Sequence, residues 1–380
     1  MTETGRARAA AAPLKIRRVD PIPVALPLKK PVVMAGERIE RSLNLLVRIE
    51  AENGLVGWGE ASSAPQMTGD LLPGMVAAVD TYLGPLLAGQ DAMHRAALAN
   101  RCAHALVGNT GAKCAVDMAL ADLVGQHLGV SLADMFGGAL REDLVPMYLL
   151  GNPKIEDDIA EAQRELANGW RFFKLKIGIK SPLEEAEAAV EVRRCLGADV
   201  ALCADANTGM TFADARLFAQ RARAANLMFI EQPLPADDFE GMAALARVCD
   251  IPLNGDESIG SVADLRMLHR MGAIQGANIK TIKLGGVGPA VQAMSACETL
   301  GLSINLACKV AESSIAAAAV AQLGCLAPNL DWGLNVTQHY LAEDVCDQPV
   351  PIVRGTLRRP AGAGLGVQVS ESRVERFRIR

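Results

Sequence analysis

The chain has 380 residues, of which 50% are hydrophobic and 21% charged, with a formal net charge of −5. That balance supports a folded core, and the length suits a barrel of about 250 residues plus a smaller domain. Acids and bases are scattered, which excludes the basic face of a nucleic-acid binder and a polybasic membrane segment.

The first residues, 1–14, hold no apolar stretch of the kind a secretory signal needs and read as a disordered tail. No charge-free apolar run approaches the roughly 20 residues of a membrane-spanning helix, so no membrane partner is expected. Residues 15 to 60 read as strands. KIRRVDPIPVAL and LNLLVRIEA alternate apolar and polar positions, Asn53-Gly54 supplies a hairpin turn, and LVGWGEA follows. Between about 70 and 136 the apolar spacing becomes three and four, as in GAKCAVDMALADLVGQHLG, with Gly129 as a helix stop. Strands followed by helices predict a separate α+β domain over 15–140.

From about residue 144 short apolar segments recur: VPMYLLG, FFKLKI, VALCADA, MFIEQP, IPLNGDE, ANIKTIK, LSINLA and NLDWG. Their centres lie near 148, 175, 204, 230, 255, 279, 304 and 331. Helical stretches such as PLEEAEAAVEVRRCLG and TFADARLFAQRARAAN separate them. Eight strands at the spacing of one βα unit predict an α/β fold: a closed parallel barrel over 141–340, each strand covered by its own helix. A doubly wound open sheet is the alternative, but no GxGxxG follows the first strand of either region. The segment 341–380 is rich in Pro and Gly with short strands, and is expected to pack back on the N-terminal domain. The nine cysteines are odd in number, widely spaced and without a CxxC pair. They read as reduced, mostly buried thiols of a cytoplasmic protein, not as disulfides or zinc ligands.

Barrel active sites form at the C-terminal ends of the strands, so polar residues there carry the argument. The second strand ends in Lys174-Leu175-Lys176, whose two lysines share a face because side chains alternate along a strand. The third ends in Asp205 and Asn207, the fourth in Glu231, the fifth in Asp256-Glu257, and the sixth carries Lys280 and Lys283. Asp205, Glu231 and Asp256 fall one per βα unit. Three converging carboxylates would repel unless a hard cation joins them, which points to Mg²⁺ with Mn²⁺ as the substitute. Taken singly, each acid could equally be a strand-end group satisfied by an amide or a lysine. A barrel interior seldom holds one lysine, because an unpaired buried ammonium is costly. Lys176 and Lys280, on opposite sides of the ring, would flank the α-carbon of a metal-bound carboxylate. Lys174 and the metal would lower the lysine pKa toward that of a useful base, and the metal would hold the enediolate left when the α-proton departs. The opposing reading makes Lys174 and Lys176 counterions of the acids.

The set FKLKIG, DAN, EQP, GDES and NIKTIKLGG resembles the enolase superfamily, specifically its muconate-lactonizing (muconate cycloisomerase) subgroup, over nearly the whole chain. The resemblance implies a (β/α)7β modified TIM barrel with an α+β capping domain completed by the C-terminal tail. It also implies Lys176 and Lys280 as acid/base pair, Asp205, Glu231 and Asp256 as metal ligands, and Lys174 as the residue tuning Lys176. Glu312, in VAESSI, matches an acidic position of the subgroup, and the resemblance implies it as a substrate-binding residue. A His-Asp pair at strands six and seven is absent, which separates the chain from the mandelate racemase subgroup. Two specificity loops, Lys29 to Glu40 and Ser62 to Thr68, and a homo-oligomer are further implications.

Two residues bear on the substrate, a small-molecule carboxylate. Trp332, at the expected eighth strand, could bind a cation with its indole or could cap the core. Lys309 follows strand seven, where the family leads one to expect a small or polar residue, and could reach a second anionic group or point outward. LGGVGPA (284–290) shapes a tight loop rather than a phosphate site. The leading functional reading is a racemase or epimerase of an amino-acid derivative: an N-acyl amino acid, a dipeptide or a proline derivative. The alternatives are a cycloisomerase of a muconate-like diacid, a dehydratase of a hydroxylated acid such as hydroxyproline, and a non-catalytic barrel that binds its ligand unchanged.

Overall fold

The computed structural model describes residues 13–34 and 37–380. Residues 1–12 of the expected tail lie outside that range. Leu14, grouped with the tail by its sequence, is instead packed in the core, and its N–H donates to Asp91.

Three antiparallel strands come first: β1 (Ile16–Met34), β2 (Glu37–Ala51) and β3 (Val56–Ser62), in the order β1-β2-β3. Gly54 takes φ +85° in the β2–β3 turn, the conformation its missing Cβ makes cheap. The segment Lys29 to Glu40, expected to be a loop, is the far end of the β1–β2 hairpin, in which Val32 pairs with Ile39 and Val33 with Arg38. β-branched residues facing each other across the ladder favour this extended form. Its tip, residues 35–36, lies outside the described residues. The second loop, Ser62 to Thr68, leaves the end of β3 as expected.

β3 packs against the helix Thr110–Leu128, which Gly129 ends in the left-handed region at φ 69°. Strand and helix approach so closely that a Cβ on Gly57 would lie 2.3 Å from the Ala119 carbonyl oxygen. One on Gly59 would lie 1.9 Å from that of Ala115. The two glycines of GWGE thus set the spacing between sheet and helix. Gly59→Ala is expected to force the strand off the helix and to cost about 3 kcal/mol, the upper end of overpacking. A urea midpoint equal to that of the unsubstituted protein would contradict this packing.

After the short strand β4 (Asp143–Leu144) come the eight parallel strands of the barrel. They are β5 (Tyr148–Leu150), β6 (Phe172–Lys176), β7 (Ala201–Asp205), β8 (Ile230–Glu231), β9 (Leu253–Gly255), β10 (Gly276–Ile279), β11 (Ser303–Ala307) and β12 (Leu334–Asn335). They lie in sequence order, and a parallel bridge from Pro146 to Leu334, with the Met147 N–H donating to the Leu334 oxygen, closes the ring. Seven βα units and a final strand make the (β/α)7β barrel. Ser181 begins the helix Pro182–Leu196 with a capping box to Glu184, and Ser261 and Thr211 cap Val262–Arg270 and Phe212–Arg221.

The eighth strand lies a few residues later than its sequence suggested. Asp331 and Trp332 precede it, at the N-terminal end of the barrel. There Trp332 stacks on Phe229 with ring centroids 4.5 Å apart and joins Met147, Phe172 and Cys203 in a buried floor. Phe172, Cys203 and Phe229 stand two residues before Lys174, Asp205 and Glu231. The alternation of a strand therefore lays an apolar layer directly under a charged one.

The tail adds β13 (Ile352–Val353) and β14 (Thr356–Arg358), which pair with each other and with β4. It also bridges β1 at Val24–Arg378 and Leu28–Leu341. Among the described residues no helix is long and apolar enough to cross a membrane. The nine cysteines are free thiols, seven of them buried.

Candidate active site

The strand ends bring the lysines and acids into one cluster at the mouth of the barrel. On β6, Lys174 donates to Glu231 Oε2 at 2.7 Å, and Lys176 donates to Asp205 Oδ2 at 2.7 Å and to Asn207 Oδ1 at 2.5 Å. After β10, Lys280 donates to Asp256 Oδ2 at 2.5 Å, while Lys283 lies 2.7 Å from Oδ1 of the same carboxylate and donates to the Asp256 and Asn278 carbonyls. Asp205, Glu231 and Asp256 are almost wholly buried, as are Lys174 and Lys280. Opposite charges 4 Å apart attract by about 4 kcal/mol at an effective dielectric of 20. Pairing of this kind is what permits so many ionic groups in one interior.

The titration of the cluster follows from those pairs. Burial alone would lower Lys280 and Lys174, but the carboxylates of Asp256 and Glu257 around the first, and of Glu231 and Asp205 around the second, raise both above the ordinary lysine value. Lys283 is lowered, by burial first and by Lys280 in part. Burial opposes ionisation of Asp256, yet Lys280 and Lys283 hold it well below the usual range; Asp205 is lowered likewise by Lys176 and Lys174. Glu231, wrapped by burial and by two like charges, is raised. Glu257 is pushed up to about 7 by burial and the adjacent Asp256. Its Oε1 accepts from Asn207, and its buried Oε2 accepts nothing.

Four residues that carry the network were not singled out in the sequence. Asn254 and Asn278 donate to the two oxygens of Glu231 at 3.1 and 2.8 Å. Each stands two residues before a site residue, Asp256 or Lys280, so the period-two alternation that pairs Lys174 with Lys176 would have found them. Gln232, at φ 33°, accepts from the Asp256 and Ser258 backbones and the Ser258 hydroxyl. Asn335 lines the cavity from β12. Asn207 and Thr208 after β7, Gln232 after β8 and Ala311 after β11 all adopt the left-handed region. That strain, about 1–3 kcal/mol per residue, gathers at the mouth.

The cavity measures about 80 Å³ and is walled by Lys174, Lys176, Asp205, Asn207, Glu231, Glu257, Lys280 and Lys309. Gln66 and Met67, from the loop after β3, also line it. Trp332 is on the opposite end of the barrel and cannot serve as a cation-binding wall. Glu312 also lies outside the cavity wall. Its carboxylate accepts the backbone N–H groups of Ser62 at 3.2 Å and Lys309 at 2.9 Å, tying the capping domain to the loop after β11. Burial and the nearby Glu60 push Glu312 up to about 8.

Among the described residues no group of three acids already lies at coordinating distance from one point. Asp205 and Glu231 reach the cavity wall, whereas Asp256 lies behind it, its carboxylate paired with Lys280 and Lys283. The donor set fits a shared divalent cation: the carboxylates are hard oxygen ligands, and the orphaned Glu257 Oε2 beside them is a buried acceptor in want of positive charge.

Residues 16–137 match the description "Mandelate racemase / muconate lactonizing enzyme, N-terminal domain", and residues 157–373 match "Enolase C-terminal domain-like". The chain is similar to muconate cycloisomerase 1-2 of Acinetobacter lwoffii, at 30% identity over 97% of this chain and 96% of that one. It is similar to the N-succinyl-L-Arg/Lys racemase of Bacillus cereus, at 29% identity over 80% of this chain and 83% of that one. The structure of muconate lactonizing enzyme from Pseudomonas fluorescens, complexed with muconolactone, superposes with a TM-score of 0.93 at 27% identity, covering 97% of this chain and 100% of that one.

Proposed function

The chain belongs to the mandelate racemase/muconate lactonizing enzyme family of the enolase superfamily, and on that premise we propose that it racemises or epimerises an amino-acid derivative. The bond broken and remade is the C–H next to the substrate carboxylate. Relatives in this family are isomerases, cycloisomerases among them as well as racemases and epimerases, and members are generally dependent on a divalent metal.

The observation that carries the reading is the position of two lysines in the ring. Lys176 ends β6 and Lys280 follows β10, with three strands between them on either side of the closed barrel. A planar α-carbon held midway presents one face to each. A lysine on one face removes the proton as amine, and the other returns one as ammonium, which inverts the centre. Asp205, Glu231 and Asp256 would hold the cation, Mg²⁺ or Mn²⁺, which when bound supplies positive charge to the substrate carboxylate and so acidifies the α-hydrogen. Asn254, Asn278 and Lys174 fix the Glu231 carboxylate, and Asn207 bridges Lys176 to Glu257. The loop bearing Gln66 and Met67 keeps water from the reacting carbon.

The similarity to muconate cycloisomerase supports a second reading, in which one lysine acts as base on a muconate-like diacid and the ring closes or opens. The test is turnover in D₂O with Mg²⁺ across N-acyl amino acids, dipeptides, proline derivatives and muconates. A gain of one mass unit with inversion on an unchanged skeleton is expected. Lactone formation without α-exchange would replace the racemase reading with the cycloisomerase one, and loss of water would replace it with a dehydratase.

A further inference from the structure

β6 ends at Lys176, so the strand ladder fixes that residue on one side only. The loop that follows fixes the other. The backbone N–H groups of Gly178, Ile179 and Lys180 converge on one carboxylate: Gly178 donates to Glu185 Oε2, and Ile179 and Lys180 donate to Oε1, each at 2.8 Å. Successive N–H groups arranged in this way form a nest for an anion. A side chain of the same protein fills it, and Glu185 is 5% exposed.

Glu185 stands in the first turn of the helix Pro182–Leu196, where the positive end of the dipole favours a carboxylate. Its neighbour Glu184 is exposed and completes the capping box at Ser181, so the two acids have separate tasks. The nest holds Gly178 at φ +82° and close against the loop after β7: a Cβ there would lie 2.8 Å from the Ala206 carbonyl oxygen. That second loop carries Asn207, whose Oδ1 accepts from Lys176 beside Asp205 Oδ2. One carboxylate thus braces both the stem of Lys176 and one of the two groups that aim its ammonium. Lys280 is held from another part of the chain, by Asp256 and by the helix Thr281–Leu284 that begins at it.

We propose that Glu185 is a positioning residue for proton transfer at Lys176 and not for proton transfer at Lys280. It does not line the cavity. It acts through the loop 178–180, and a displacement of about 1 Å at a reacting group can cost about 10²-fold in rate. The assignment rests on the reading of the two lysines as the acid/base pair, and deepens it by giving one face of the reaction a support that the other face lacks.

Glu185→Ala is tested with Mg²⁺ in D₂O on N-acetyl-L-methionine and N-acetyl-D-methionine. The enantiomer that the Lys280→Ala variant still exchanges faces Lys176, and in Glu185→Ala its α-exchange is expected to slow about 10- to 100-fold. The other enantiomer should keep its rate. Acetate should restore much of the loss, because the groove outside β6, lined by Ile177, Ile179 and Glu185, leads to the vacated nest. Glu184→Ala, which removes the cap of the same helix, should slow neither enantiomer. Amide hydrogen exchange needs no substrate: segments 178–180 and 206–209 should lose protection together in Glu185→Ala and regain it with acetate. Equal slowing of both enantiomers, or loss of protection at 178–180 alone, would overturn the assignment and leave Glu185 with a purely structural part. Failure of the proton-transfer reading shows differently. The unsubstituted protein would then exchange none of the N-acyl amino acids, dipeptides or proline derivatives, while the two segments still loosened together.

Discussion

Lys280→Ala is expected to slow α-proton exchange of one enantiomer of the substrate by about 10²–10⁴-fold, the contribution of a positioned general base. The other enantiomer should still exchange, because its hydrogen faces Lys176. Racemisation, which needs both faces, should vanish in this variant and in Lys176→Ala, while the enantiomer that survives should switch between the two. The geometry behind the expectation is the diametric placement of β6 and β10. Proton NMR in D₂O on each pure enantiomer reads it directly. Equal loss from both enantiomers in Lys280→Ala would mean that Lys280 serves charge balance and that Lys176 alone removes the proton. Asp256 ties the two halves of the problem together. At 2.5 Å from Lys280 it holds that lysine protonated, so whatever draws Asp256 away makes Lys280 a stronger base.

Glu60→Ala is expected to destabilise the protein by about 3–5 kcal/mol without altering a single residue of the cavity wall. Glu60 is wholly buried between the capping sheet and the barrel. It accepts from the Ser313 hydroxyl, from the backbone N–H groups of Ser313 and Ala316, and from the Asn44 amide. These donors include the start of the helix Ser314–Leu326, and each left unmet costs about 1–3 kcal/mol. Burial, with Asp344 nearby, raises Glu60 from 4.5 to about 7. Its folded pKa therefore exceeds its unfolded one, so the folded state binds more protons across that interval, and stability falls as pH rises from about 4.5 to 7. Two and a half units correspond to about 3 kcal/mol. Glu312, raised to about 8, adds a slope of the same sign a little higher. Urea midpoints from pH 5 to 8 should decline in the unsubstituted protein and flatten over the lower part of the range in Glu60→Gln. A midpoint that climbs across it would show that Glu60 is ionised throughout.

Much of this site was legible in the sequence because barrel chemistry falls at strand ends and strand ends recur at a fixed interval. Lys174, Lys176, Asp205, Glu231, Asp256 and Lys280 could be placed on one rim from spacing alone. Trp332 could not, because NLDWG looks as much like a strand as its neighbours do. Only the closing bridge between Pro146 and Leu334 sets the last strand a few residues later and turns the indole into the floor. Glu312 was misassigned to the substrate because a loop acid carries no mark of which way it faces. Its partner proved to be a backbone N–H some 250 residues away, at Ser62. The hairpin at Lys29 to Glu40 was expected as a specificity loop, because the resemblance and not the local pattern supplied its reading. Lys30 in fact pairs with Glu161 on the first barrel helix at 2.9 Å. Pairings between distant segments were the part that local pattern could not supply.

β1 is synthesised long before the segment that completes it. β1 bonds to Arg378 and Leu341, the Pro23 oxygen accepts from Ile379, and Gly364 bridges Ser131 in the capping domain. The capping domain is thus the first third of the chain to be synthesised, yet it lacks part of its edge until the final residues emerge. During translation the barrel can close before the domain that covers it. A nascent chain halted before residue 341 would expose an open sheet edge of β1, the sort of surface that pairs with other chains. Truncation at the C-terminus is therefore a hazard to the N-terminus, and the two ends of this protein stand or fall as one unit.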